Sequence, residues 1–198
     1  MKKNLLWLVV TVFFLNSHSC TAGQLHSLHT SEKLLEKAAV VLDLLEAADF
    51  KSLSRHVNPS KGLNFSPYSK DLAELFIINF SQKDVSNFKN DNKQYIWGHY
   101  DGSGLPISMT PTEYYKQFIY DINYKAQAEK RIIYSSQLKI MDEYRALYKI
   151  YPNSILIQYH FKGTEETGLK DFKDLILIFT EIQNKLYLEG LAHSESTV

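Results

Sequence analysis

The sequence predicts an α+β domain in which N-terminal helices pack on a curved antiparallel sheet, after a signal peptide. Apolar residues recur at helical spacing near the N-terminus, whereas alternating and continuous apolar runs typical of strands fill the C-terminal third. A charged start, an apolar run and a small polar stretch precede both. We therefore divide the chain into a signal peptide at 1–19, a lipidated N-terminus and tether at 20–30, and one α+β domain at 31–198.

The first residues are typical of a bacterial export signal. Lys2 and Lys3 form the charged start, the apolar run extends from Leu5 to Leu15, and small and polar residues follow up to Ser19. The apolar run is too short for a stable membrane span, and its flanks differ from those of such a span. The protein is therefore expected to be exported.

Cys20, the single cysteine of the chain, comes directly after Ser19. This junction resembles a bacterial lipobox, in which a small residue precedes the acylated cysteine and Leu usually lies three positions before it; here Ser17 occupies that position. The resemblance implies lipidation of Cys20, and several acyl chains would hold the protein firmly on the bacterial cell membrane, facing the periplasm or the exterior. The alternative is ordinary signal cleavage, which leaves Cys20 as a free thiol or removes it by a cut near Gly23.

The composition excludes several classes of protein. The 198 residues include 22 basic and 22 acidic side chains, and removal of the signal with its two lysines leaves a net charge of −2, which gives no electrostatic footprint for nucleic acid. With one cysteine there is no disulfide framework, so a hydrophobic core must stabilise the fold. No residue pattern indicates a cofactor or a metal ion. The expected partners are the membrane, through the lipid, and a small apolar ligand or an envelope protein.

Local signals predict the elements of the N-terminal half. A helix is expected from about Ser31 to Ala48, and Asp49 is expected to cap a second short helix. The remaining elements of this half have weaker patterns: a strand at 62–66, an apolar stretch at 70–80 that fits helix or strand, and one or two helical turns at 81–88.

A β-hairpin and a further helix are expected in the middle of the chain. Residues 95–100 and 105–109 have a strand pattern and flank a Gly-rich turn at 101–104. After them, Thr110 can cap a helix and Glu113 can reach back to complete a capping box, with a proline between them at the first helical position. Residues 122–150, by contrast, have a weak pattern that fits strand or helix with a loop.

The C-terminal third is predicted to form consecutive antiparallel strands. Residues 155–161 alternate as a half-buried strand does, and residues 175–179 are apolar on both faces, which predicts a central strand. A three-residue turn at 183–185 leads into a last strand at 186–193.

The register of these strands would bring two histidines onto one face. With the three-residue turn, Leu175 lies opposite His193. With Phe161 paired to Asp174, His160 also lies opposite that leucine, on the same face. The two imidazoles would then be about 10 Å apart, too far to share a metal ion but placed as two walls of a pocket. The alternative is that each is a half-exposed histidine near a sheet end.

Three blocks of sequence resemble a known family. They are HVNPSKGLNFSPY at residues 56–68, WGHYDGSGLPI at 97–107 with the aromatic residues that follow up to Asp121, and the closing hairpin at 175–193. With the order of elements, they resemble the NTF2-like (SnoaL-like, cystatin-like) cone folds, and more narrowly a family of uncharacterised bacterial exported proteins and lipoproteins. The resemblance implies one NTF2-like domain at 31–198 and an envelope location, and it implies no reaction.

Few residues are candidates for chemistry. An acid–base enzyme would use His99, Asp101, His160 or His193, with a tyrosine as proton donor. Ser103 lies between two glycines in the hairpin loop, which is typical of a turn and not of a hydrolase nucleophile.

Aromatic residues of the hairpin are the candidates for ligand binding. Tyr95, Trp97 and Tyr100 would line a cleft if the cone-shaped sheet encloses a cavity, or would act as cross-strand pairs that hold the hairpin. For His56 the preferred interpretation is a hydrogen bond that fixes its loop.

The leading functional expectation is a membrane-tethered envelope lipoprotein whose folded part is a binding or structural domain without enzymatic activity. The alternative is a small cone-fold enzyme that performs acid–base chemistry, such as isomerisation or dehydration, on an apolar ligand.

Overall fold

A computed structural model describes residues 22–68, 76–134, 137, 141 and 144–196. The expected signal peptide at 1–19 and the expected lipidation site Cys20 therefore lie outside the described residues. The described part is an α+β fold, as predicted, with several helices and a mostly antiparallel sheet.

Six α-helices, a 3₁₀ turn and a π-helical segment are described: α1 (Ala22–Glu46), α2 (Phe50–Leu53) with a 3₁₀ turn (Ser54–His56), α3 (Gln82–Ser86), α4 (Pro111–Tyr114) continuing as a π-helical segment (Tyr115–Ile119), α5 (Tyr124–Gln127) and α6 (Arg145–Ile150). The expected tether is helical from Ala22, so α1 begins earlier than the apolar stripe predicts. Asp49 caps α2 by accepting a hydrogen bond from the Ser52 backbone N–H at 3.0 Å, as predicted.

Capping boxes begin two of the helices. Thr110 and Glu113 form the predicted capping box of α4, each side chain bonding the backbone N–H of the other residue, with Pro111 at the first helical position. Ser81 and Asp84 form a second capping box at α3. These reciprocal bonds satisfy backbone donors that the first turn of a helix leaves without partners.

Eight strands are described: β1 (Leu63–Ser66), β2 (Ile78–Phe80), β3 (Tyr95–His99), β4 (Pro106–Met109), β5 (Glu129–Tyr134), β6 (Ile155–Phe161), β7 (Lys173–Ile182) and β8 (Lys185–Glu195). Six of them form one sheet in the order β2-β1-β8-β7-β6-β5, in which β1 and β8 are parallel and the other neighbours antiparallel. Strands β3 and β4 form the predicted hairpin as a separate sheet. The ambiguous stretch at 70–80 ends in β2, and its first part lies outside the described residues.

Helices cover both faces of the six-stranded sheet. The apolar stripe of α1, from Leu34 to Leu45, is buried in one core with Leu175 and Leu177 of β7. The intervening residues of β7 belong to a second core, which α6 contributes to on the opposite face. Strand β7 is therefore a central strand that is buried on both sides, as its continuous apolar run predicts.

The predicted register of β6 and β7 is wrong by one residue. Phe161 pairs with Lys173, and His160 pairs with Asp174, so His160 is not opposite Leu175. Because successive side chains of a strand point to opposite faces, this shift places His160 and His193 on opposite faces of the sheet. The expected two-histidine pocket does not form.

The predicted pairing of Leu175 with His193 is confirmed. The three-residue turn from which it was predicted is wrong. The turn has two residues, Gln183 and Asn184, and it pairs Ile182 with Lys185. A β-bulge after Ile178 then adds one residue to β8 and restores the expected pairing further along the strands.

Candidate functional site

Four ionisable side chains meet at one end of β7 and β8. Lys173 begins β7 and pairs with Glu195 near the end of β8, while His193 lies two residues before Glu195 on the same face. Asp121 reaches them from the connection between the π-helical segment and α5. The histidine side chain is fully buried, the aspartate is 8% exposed, and the other two keep about a quarter of their surface.

The carboxylate of Asp121 is held from two sides. Tyr124 donates its hydroxyl proton to Oδ1 at 3.0 Å, and the Lys173 ammonium donates to Oδ2. The same ammonium lies 3.5 Å from a carboxylate oxygen of Glu195. Burial by itself lowers the pKa of Lys173, but the hydrogen bonds and charges of the two carboxylates raise it above its ordinary value. The lysine is therefore a cation at neutral pH.

The imidazole of His193 has one bonded nitrogen and one without a partner. Nδ1 lies 3.3 Å from the Pro67 carbonyl oxygen, which can only accept, so Nδ1 carries the proton when the ring is neutral. Nε2 then presents a lone pair; it lies 3.9 Å from Asp121 Oδ2 and has no hydrogen-bond partner among the described residues. Burial lowers the pKa of His193, against the opposing effect of the Asp121 and Glu195 charges.

Two carboxylates and one ammonium thus lie near the imidazole nitrogen of His193 that has no hydrogen-bond partner among the described residues. With a neutral ring the four side chains carry a net charge of −1 in a largely buried place. Burial together with the Asp121 charge raises the pKa of Tyr124, so its hydroxyl stays protonated and keeps donating to the aspartate. Such a group of side chains can hold a proton or a metal cation beside His193.

The other candidate catalytic residues lie elsewhere. His160 bonds Asp174 through Nδ1 at 2.7 Å, and Gln158 donates to the same aspartate oxygen at 2.9 Å, on the α6 side of the sheet. His99 and Asp101 are exposed on the hairpin, where the ring of His99 meets Phe76 edge-on at 6.3 Å.

His56 connects two helical segments. The Lys37 ammonium of α1 donates a hydrogen bond to His56 Nδ1 at 2.6 Å. This contact agrees with the interpretation of His56 as a residue that fixes its loop. Burial and the nearby charge of Lys37 lower the pKa of the imidazole.

The aromatic residues proposed for a cleft have different surroundings. Trp97 is fully buried, stacks on Tyr114 with 3.9 Å between ring centroids, and donates its Nε1 proton to the Met109 carbonyl at 2.9 Å. Tyr95 and Tyr100 are half-buried around this core. The ring of Trp97 thus contacts the core of the domain, where an apolar cavity of about 10 Å³ beside Tyr114 has room for a single water molecule.

Sequence reasoning selected His193 and missed the side chains around it. Lys173 and Glu195 lie just beyond the predicted ends of β7 and β8, and extending the strands in the Leu175–His193 register would have paired them. Asp121 lies in a connection between helices, and no local pattern places such a residue against a distant strand.

Comparisons of the chain with family models, with curated proteins and with solved structures found no match. Among the described residues, no helix combines the length and the apolar character needed to cross a bilayer.

Proposed function

We propose that the protein is an exported lipoprotein of the bacterial cell envelope, held on the membrane by acyl chains on Cys20, and that its folded domain serves as a binding or structural module. The observation that carries the proposal is the order of the N-terminal residues: a charged start, an apolar run, small polar residues and then the single cysteine of the chain. Acylation also consumes a thiol that would otherwise be unpaired in an oxidising compartment.

Helix α1 supports a close connection between anchor and domain. It begins at Ala22 and runs into the core, where Leu34 is fully buried. At about 1.5 Å per residue, the helix separates these two positions by about 18 Å. A lipid on Cys20 would therefore hold the domain next to the membrane surface.

The interior of the domain favours a binding or structural role over catalysis. Trp97 stacks on Tyr114 and Phe80, so its ring packs in the core and does not line an open cleft. His193 has no exposed surface, so a substrate would reach it only if the partly exposed Lys173 and Glu195 moved aside. The alternative, a small acid–base enzyme acting on an apolar ligand, has one observation in its favour, which is the buried imidazole beside Asp121.

We also propose that the domain has an NTF2-like cone fold. Two features support it: a long N-terminal helix packed on one face of a six-stranded sheet, and consecutive long antiparallel strands at the C-terminal end of the chain. The parallel pairing of β1 with β8 brings the N-terminal strands beside the last one.

Cell fractionation tests the anchor. The wild-type protein is expected in the membrane fraction, and Cys20→Ala is expected to release the exported domain or to leave an unprocessed precursor. Ser17→Leu is the matched control, because it restores the usual lipobox residue and should keep the protein on the membrane. Equal distribution of wild type and Cys20→Ala between the fractions, with equal processing, would contradict the proposal.

A further inference from the structure

One nitrogen and two carboxylates are gathered around a small space at the end of β7 and β8. Ligand atoms of Asp121, His193 and Glu195 all lie within 4.8 Å of one another. Ligand atoms around one tetrahedral metal ion with bonds of about 2 Å are about 3.3 Å apart, so the longest of these separations needs to shorten by about 1.5 Å. Glu195 is partly exposed at the strand end, which leaves it room to move.

The histidine is already oriented as a metal ligand is. Its Nδ1–H is directed at the Pro67 carbonyl, which fixes the tautomer and leaves the Nε2 lone pair facing the carboxylates. In metal sites the second ring nitrogen of a ligating histidine almost always donates to a carbonyl or a carboxylate, and ligating carboxylates are themselves hydrogen-bonded. Tyr124 supplies that second bond to Asp121.

A buried lone pair that faces a carboxylate oxygen is a place where a proton or a metal cation is stabilised. Nε2 of His193 has no partner in the described part of the chain, and both it and Asp121 Oδ2, 3.9 Å away, are acceptors when the ring is neutral. We propose that Asp121, His193 and Glu195 bind a divalent first-row transition metal ion such as zinc, with the remaining coordination position open to water.

The donor set selects the class of ion. An imidazole nitrogen with two carboxylates fits zinc, manganese or cobalt, whereas calcium and magnesium prefer oxygen ligands alone. Two carboxylates also neutralise a divalent ion. The proposal does not depend on the lipid anchor, since it rests on the folded domain alone.

Lys173 competes with the metal ion. Its ammonium bonds Asp121 and approaches Glu195, so it already interacts with two of the three groups that would bind the ion. The side chain is 25% exposed and can turn outward to solvent when an ion binds. Lys173 therefore lowers the metal affinity, and replacing it with a neutral residue is expected to raise that affinity.

Metal titration of the full-length protein in detergent tests the site. After treatment with a chelator, zinc binding is measured by calorimetry and cobalt binding by visible absorption. The wild type is expected to bind one ion per chain, and Lys173→Met to bind at least about tenfold more tightly, because an ammonium that competes for Asp121 and Glu195 is removed. His193→Gln in the Lys173→Met chain is expected to weaken binding at least about tenfold.

His160→Gln is the matched control, since His160 also bonds an aspartate of the same sheet but on its other face. It should leave metal binding unchanged. The proposal is overturned if the wild type takes up no ion, even if Lys173→Met binds one. In that case the Lys173 ammonium is the cation that the carboxylates bind in the natural protein. It is also overturned if His193→Gln, shown to be folded by circular dichroism, binds as the wild type does. Should Lys173→Met fail to fold, Lys173→Gln replaces it in the same comparison.

Discussion

At the residue scale, buried charge is stabilised by partners from distant parts of the chain. Glu189 is 3% exposed in the bulge of β8, yet it accepts hydrogen bonds from Asn58 at 3.0 Å, from Lys61 at 2.8 Å and from Thr180. These bonds tie the loop before β1 to the bulge. Burying a carboxylate without such donors would be strongly unfavourable.

Replacement of Glu189 tests that contribution. Glu189→Leu keeps the side-chain size but leaves the buried amide of Asn58 without an acceptor, so we expect a loss of about 2–3 kcal/mol in the free energy of unfolding, measured with denaturant. Glu189→Gln keeps an oxygen for Asn58 and should cost about 1 kcal/mol or less. Equal losses in the two variants would contradict the assigned role.

His56 gives the domain a pH dependence. Burial and the Lys37, Lys185 and Arg55 charges lower its pKa in the folded state, so below about pH 6.5 the unfolded chain binds more protons at His56 than the folded chain does. The stability associated with the neutral ring is therefore present above that pH and is lost as the pH falls through the folded pKa.

Denaturant unfolding as a function of pH checks this prediction. His56→Gln is expected to make the loss of stability below about pH 6.5 less steep than in the wild type. Lys37→Met removes the nearest cation and should also make the loss of stability with falling pH less steep. An unchanged slope in His56→Gln would show that the folded domain does not disfavour protonation of this ring.

Substitution of Trp97 tests whether its ring belongs to the core or lines a cleft. Because its ring is fully buried and stacked on Tyr114, Trp97→Ala should lower the free energy of unfolding by about 3–5 kcal/mol. Tyr100→Ala, at a half-buried position of the same hairpin, is the comparison and should cost clearly less. A Trp97→Ala chain as stable as Tyr100→Ala would instead favour the cleft.

At the element scale, the β7–β8 hairpin shows why register is hard to predict. Gln183 and Asn184 have φ values of 50° and 59°, which is the pattern of a two-residue type I′ turn, although neither is the glycine that such turns favour. The bulge after Ile178 has no strong sequence signal either. The predicted turn is one residue too long, and the bulge adds one residue that the prediction lacks. The two errors cancel, so the predicted partner of His193 is correct.

Substitutions in the β7–β8 turn test whether it has two residues. Changing Gln183→Asn together with Asn184→Gly places the favoured residues at both positive-φ positions, and we expect a gain of about 0.5–1 kcal/mol in the free energy of unfolding. Thermal unfolding measures the change. A three-residue turn would not require these conformations, and the double variant would then lose stability.

At the scale of the whole molecule, elements with strong local signals were predictable and their assembly was not. The α4 capping box, the α2 cap and the doubly buried β7 follow from residues close together in sequence. The parallel pairing of β1 with β8 and the α6 layer depend on contacts between distant segments. In the same way, His193 was recognisable, whereas Asp121 joins it only through the tertiary fold.

The proposed envelope role depends on the N-terminal anchor, and the intact mass of the native protein extracted in detergent tests that anchor most directly. We predict a mass equal to residues 20–198 with a diacylglyceryl group on Cys20 and an amide-linked acyl chain, and loss of these groups in Cys20→Ala. An unmodified mass that begins after Cys20 would contradict the account and would make the protein a freely exported domain.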